Sequence, residues 1–189
     1  MLGSVAGSRV AGHAGKALLF DGTQTCVDLG APSDFVLEGP FTVAVWVKVD
    51  EYEVPAPAND SRGILSKTVS PTERGWRFVT QGAGSSASIG FKVGTDAGVS
   101  FPVYSPAPQP VSTWLHAAGV WVPNTRAEIY IDGALVKKVT TISPILEDVA
   151  QTLYAGCVRP DAQHFKGAMD ELRIYTRALT QAEIAVLAR

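Results

Sequence analysis

The chain has 189 residues, 46% of them hydrophobic, enough for one domain that buries a sizeable core without needing a metal or a disulfide framework to fold. Sixteen basic against eighteen acidic residues give a formal charge of −2, and no stretch concentrates Lys or Arg, so nucleic acid is not an expected partner. No apolar run reaches the roughly 20 residues that a membrane-spanning helix needs.

The opening segment, "MLGSVAGSRVAGHAGK", has neither a basic leader nor a continuous apolar stretch and does not read as a signal peptide. It is expected to be a leader or inter-module linker over residues 1–15, with one domain over 16–189. From there the sequence alternates in short blocks separated by Gly, Pro, Asn and Asp, which predicts antiparallel strands. The blocks are 17–20, 26–29, 41–49, 63–67, 76–81, 87–93, 114–122, 127–132, 134–139, 152–157 and 167–175. So many short strands imply an all-β fold of two packed sheets.

Within 41–49, "FTVAVWVKV" sets Phe41, Val43, Val45, Val47 and Val49 on one inward face and Thr42, Ala44, Trp46 and Lys48 on the other. The proline-bearing stretches 50–63 and 104–112 read as long loops. Asp132-Gly133, between two alternating runs, predicts a two-residue hairpin turn. At the end of the chain, Thr180 with Glu183 three residues later is a capping box, which starts a short amphipathic helix through Ile184 and Leu187.

The block "FKGAMDELRIY" holds one awkward residue. Strict alternation places Asp170 on the face of Ala168, Leu172 and Ile174, and a carboxylate facing a core is costly unless it is paired, hydrogen-bonded or metal-bound. Asp21, in "ALLFDG", shares its face with Leu19 in the same way. Cys26 and Cys157 are too few for a framework and too isolated for a zinc site, which leaves one disulfide or two free thiols as alternatives.

Together "GHAGKALLFDG", "FTVAVWVKV", "STWLHAAGVWVPNTRAEIYIDGALV" and "FKGAMDELRIYTRALTQAEI" resemble the laminin-G-like jelly rolls of the concanavalin A-like lectin and glucanase superfamily, over about residues 12–187. Gly167, Asp170, Glu171, Arg173, Tyr175, Arg177, Ala178 and Leu179 fill the most specific, C-terminal pattern. The resemblance implies a two-sheet antiparallel jelly roll of about fourteen strands, used as a non-catalytic carbohydrate-binding or adhesion module of a larger secreted or cell-surface protein. Its partner would be a glycan or a cell-surface or matrix protein. A further first strand, common in the family, is expected to be lacking, leaving open how the first sheet edge is covered.

The resemblance also implies a structural calcium held by Asp21 and Asp170 with backbone carbonyls, chemistry that suits an ion accepting 6 to 8 oxygen ligands. Against it stands the alternative that Asp170 accepts loop amides or is turned by a β-bulge. A second, pentraxin-like calcium position corresponds loosely to Asn59, Asp60, Asp161 and Gln163, although Arg159 and Pro160 stand where further oxygen ligands are expected.

Catalysis is not expected. The acidic pairs Asp50 with Glu51, Glu147 with Asp148 and Asp170 with Glu171 are adjacent, so on a strand they point apart and do not flank one glycosidic bond. His13, His116 and His164 lie in no nucleophile motif. For ligand binding the expected residues are Tyr52 and Tyr104 in the proline-rich loops, Trp76 at a rim, and Asp60, Asp161 and His164 in loops, while Trp46 and Trp114 are expected in the core and Trp121 is left between core and rim. The loops are rich in Pro and Ala and poor in amides, which favours the rival reading of a protein-interaction or spacer domain.

Overall fold

The computed structural model describes residues 8–31, 37, 39–52, 61–69, 74–82, 84–94, 100–140 and 151–189. Thirteen strands are found among them: β1 Arg9–Ala11, β2 Lys16–Asp21, β3 Val27–Asp28, β4 Phe41–Val49, β5 Ser61–Val69, β6 Arg74–Gln81, β7 Ser88–Gly94, β8 Ser100–Tyr104, β9 Trp114–Val122, β10 Arg126–Ile131, β11 Ala134–Thr140, β12 Tyr154–Ala155 and β13 Lys166–Tyr175. One helix, α1 Gln181–Leu187, closes the chain. The strands form two antiparallel sheets, one of seven in the order β1-β2-β13-β4-β9-β10-β11 and one of six in the order β3-β12-β5-β6-β7-β8. This is the expected jelly-roll sandwich.

Inward residues of both sheets make one core. Phe41, Val43, Val45, Val47 and Val49 of β4 face Trp76 and Phe78 of β6 and Ile89, Phe91 and Val93 of β7, all essentially inaccessible to water. Gly119 in β9 has no side chain because Phe91 of the opposite sheet fills that space: a Cβ there would lie 2.6 Å from the ring.

The turn chemistry holds. Asp132 and Gly133 both adopt positive φ, 49° and 79°, as a tight hairpin between β10 and β11 requires. Thr180 accepts from the Glu183 amide, and the Glu183 carboxylate accepts from the Thr180 amide, completing the capping box of α1.

Two strands were not expected. β1 lies inside the stretch predicted to be a leader and pairs with β2, so among the described residues β1 is the edge strand on that side of the seven-stranded sheet. β8 contains Pro102, yet it is an edge strand of the six-stranded sheet, where a missing N–H costs no ladder bond.

Two of the four tryptophans depart from expectation, Trp76 from the rim and Trp114 from the core, while Trp46 is buried as expected and Trp121, left open, is in the core. Trp76 and Trp121, 1% and 0% exposed, are between the sheets, whereas Trp46 and Trp114 stand on the outer face of the seven-stranded sheet. Trp76 is inward because it pairs with Lys67 and Val93 in register with the core residues Phe78 and Phe91; its ring meets Phe41 at 5.5 Å. The outer face at Trp46 is covered by α1, whose Leu187 carbonyl accepts from the indole N–H, and by His13, stacked on the indole at 3.5 Å and 11°. Cys26 and Cys157 are joined in a disulfide with a Cα–Cα distance of 5.4 Å, so of the two open alternatives the bridge is the one present.

Candidate functional site

The face assignment of Asp170 decides what its carboxylate means. Between β13 and β4 the pairing runs Asp170 to Trp46 and then Arg173 to Ala44, three steps on one strand against two on the other. This is a β-bulge, and Glu171 takes a left-handed φ of 51° to make it. The bulge changes the parity of the strand. Asp170 shares the outer face with Arg173 and Tyr175, while Met169, Leu172 and Ile174 pack toward the core. The predicted common face of Asp170, Leu172 and Ile174 is therefore wrong, because alternation was carried through an extra residue.

Asp170 is still only 9% exposed, since the 12–15 turn lies over it. One carboxylate oxygen accepts from the Ala14 amide and the other from the Glu171 amide, each at 2.9 Å. Gly12 is required there, because a Cβ at that position would collide with the Asp170 carboxylate. Asp21 is exposed, and its Oδ1 accepts three amides, from Thr23, Gln24 and Thr25, at 2.9 to 3.0 Å. Partial desolvation pushes its pKa up, but the three amides together outweigh that and hold it well below the usual carboxylate range.

The two aspartates do not meet. Asp21 pairs with Lys166, and Asp170 lies four residues further along β13, about 13 Å away at ~3.3 Å per residue. Oxygens sharing one calcium lie no more than about 5 Å apart, so this pair does not fit a single ion. No cluster of three or more His, Cys, Asp or Glu among the described residues is arranged to hold a metal. Asp170→Ala, which strands two amides, is expected to cost about 1 to 3 kcal/mol, measured by equilibrium unfolding.

The other expected ligand residues are scattered. Tyr52 is not exposed but 3% accessible within the core, and its hydroxyl has no partner among the described residues. Beside it Asp50, Glu51, Gln109 and Val111 line a rim cleft of about 440 Å³. His164 is buried rather than loop-exposed because its backbone bridges to Gly63, and its Nε2 donates to the Pro160 carbonyl at 3.2 Å. Asp161 is exposed and paired with Arg159 at 3.3 Å. Asn59 and Asp60 lie outside the described residues. Asp161 and His164 are thus not assembled with Tyr52 or Tyr104 into one site.

Tyr104 does stand on a surface with site character, the outer face of the six-stranded sheet. Register places Tyr154, Ser66, Arg77, Lys92 and Pro102 along one rung, and Val79, Gly90 and Tyr104 along the next. The Tyr104 ring packs on the bare backbone of Gly90, where a Cβ would lie 2.5 Å from the ring. Its hydroxyl donates to Gln81 at 2.6 Å, and the Lys92 ammonium stands 5.6 Å from the ring centre. A half-buried aromatic is thereby fixed on a polar sheet face, with the Gln81 amide and the Lys92 ammonium beside it and Arg77 two strands away. Four strand spacings of ~4.8 Å set Tyr154 on β12 about 19 Å across the face from β8.

Sequence reasoning missed Tyr154, Arg77, Gln81 and Lys92. Their signal was present: in "RGWRFVTQ" the inward Trp76 and Phe78 oblige Arg77, Val79 and Gln81 to face outward.

Similar folds occur in several binding domains. The binding domain of Paraclostridial Mosquitocidal Protein 1 superimposes with a TM-score of 0.76 at 14% identity, over 98% of this chain and 46% of that one. Domain 4 of AbnA, a GH43 extracellular arabinanase from Geobacillus stearothermophilus in complex with arabinotriose, gives 0.69 at 22% identity, over 96% and 81%. The Ruminococcus gnavus IT-sialidase CBM40 bound to α2,3 sialyllactose gives 0.70 at 15% identity, over 92% and 96%. The chain spans about half the length of the toxin binding domains it matches. No curated protein matches the chain. A family model described as the concanavalin A-like lectin/glucanases superfamily, of laminin-G type, covers residues 21–185, and the chain therefore belongs to that family.

Proposed function

We propose that this domain is a non-catalytic carbohydrate-binding module of a larger secreted or cell-surface protein, and that it holds a glycan on the outer face of the six-stranded sheet. One observation carries the reading: Tyr104 lies on Gly90 and is locked by Gln81 on a face that also bears Arg77, Lys92 and Tyr154. A sugar's apolar C–H face stacks on the ring in place of the Lys92 ammonium, while the amide and the cations fix hydroxyl positions. The span from Tyr104 to Tyr154 suits several linked sugars rather than one. The disulfide supports an oxidising setting outside the cytosol. Arabinotriose and sialyllactose, named with two proteins of similar fold, are natural first probes.

A glycan array that includes arabino-oligosaccharides and sialylated chains, followed by calorimetric titration of any hit, tests the reading. Tyr104→Ala is expected to weaken binding at least about tenfold, the loss of one stacking contact of roughly 1.4 kcal/mol, with the fold intact. An array without saturable hits would favour the rival role, a protein-interaction or spacer domain.

A further inference from the structure

We propose that the cavity on the outer face of the seven-stranded sheet, opposite the face just described, is a second sugar site that grips a vicinal diol through the Glu171–Arg173 ion pair, with the sugar ring against the His13–Trp46 stack. The proposal shares the sugar as ligand with the reading above and none of its residues.

The cavity measures about 270 Å³, the space of about nine waters at roughly 30 Å³ each, or of one ring-sized ligand. Ala44, beside Trp46 on the same face, leaves it deep. One wall is aromatic: His13 lies parallel on Trp46, is itself exposed, and offers an unsubstituted ring face. Another wall is Val186 of α1, an apolar side chain that is 61% exposed.

The polar end is Glu171 and Arg173, ion-paired and each less than half exposed. The bulge fixes them there, since Glu171 holds its left-handed backbone on the rung between Asp170 and Arg173. A carboxylate only accepts hydrogen bonds and a guanidinium only donates them. Two neighbouring hydroxyls satisfy both at once, one donating to Glu171 while the oxygen of the next accepts from Arg173. A ring with a single hydroxyl satisfies one of the two, and a free carboxylate satisfies Arg173 and Arg189, the other cation of the lining, but leaves Glu171 without a donor and against a like charge. Aromatic wall, apolar wall and acceptor–donor pair thus describe a pyranose more closely than an aliphatic ring or an acid.

The test is a ¹H–¹⁵N NMR titration that follows the Trp46 indole N–H with methyl β-D-glucopyranoside, trans-cyclohexane-1,2-diol, cyclohexanol and D-glucuronate as probes. The glucoside and the diol are expected to shift that resonance saturably, and cyclohexanol is not. Val186→Trp fills the cavity from an exposed helix position without changing its charge, and Arg173→Met removes the donor; each is expected to weaken binding at least about tenfold at an unchanged melting temperature. Tyr104→Ala is expected to leave the titration as it is. No shift at Trp46, equal binding of cyclohexanol, tighter binding of glucuronate than of the glucoside, or loss of the shift in Tyr104→Ala would each overturn the proposal.

Discussion

Reduction of the Cys26–Cys157 bridge is expected to lower the free energy of unfolding by about 5 kcal/mol. The bond closes a loop of 131 residues, and in the chain-entropy model a loop slightly longer than 100 residues restricts the unfolded chain by roughly that amount. Domains of this size are stable by only about 5 to 15 kcal/mol, so the reduced form is expected to be marginal. At roughly 2 to 4 °C per kcal/mol, the melting temperature should drop by about 10 to 20 °C. Denaturant titration with and without reductant, alongside the Cys26→Ser/Cys157→Ser double variant, measures it. The dependence on denaturant should steepen in the reduced form, because the unfolded chain expands once the cross-link is gone. A change below about 1 kcal/mol would mean that the unfolded chain is already held compact.

The same bridge bears on where the domain works. One end, Cys26, precedes β3, and the other, Cys157, follows β12, the partner strand of β3 at the rim of the six-stranded sheet. These are two-residue strands, the shortest in the fold, and they have little ladder of their own. The disulfide supplies the constraint that backbone pairing does not. Tyr154 sits on β12 and bounds the proposed glycan face, so that face is expected to lose its outer wall before the rest of the sandwich opens in a reducing medium.

Sequence reading succeeded where a local rule sufficed. Nine residues of alternating "FTVAVWVKV" suffice for β4, Asp132-Gly133 for the hairpin, and Thr180 with Glu183 for the helix cap. It failed where one residue changed the phase of a rule. Glu171 adds a residue to β13, so the face of Asp170 read from alternation was the wrong one. The amides that satisfy Asp170 come partly from Ala14, 156 residues away, a partner that no local pattern announces. Trp76 was misplaced for a different reason: a polar neighbour such as Arg77 suggests a rim, yet on a strand the neighbour points the other way. β8 was absent from the predicted blocks, and its Pro102 is compatible with a strand because that strand is an edge.

Trp76 supplies the sharpest separation between core and site. It is 1% exposed, meets Phe41 at 5.5 Å and lies opposite Val93 on the inward side of its sheet. Trp76→Ala is expected to cost about 3 to 5 kcal/mol, since the lost transfer free energy of an indole is joined by the cavity it leaves between two sheets that cannot close on it. Trp76→Phe, which keeps an aromatic against Phe41, is expected to cost clearly less. Tyr104→Ala, on the outer face, is expected to stay within about 1 kcal/mol of the parent because it forfeits one hydrogen bond to Gln81 and no core volume. Equilibrium unfolding of the three variants, set beside glycan titration of each, gives opposite patterns for the two residues: stability falls with Trp76 and affinity with Tyr104. A Trp76→Ala protein that melts like the parent but no longer binds sugar would return that ring to the rim, and the register of the six-stranded sheet would have to be redrawn by one residue.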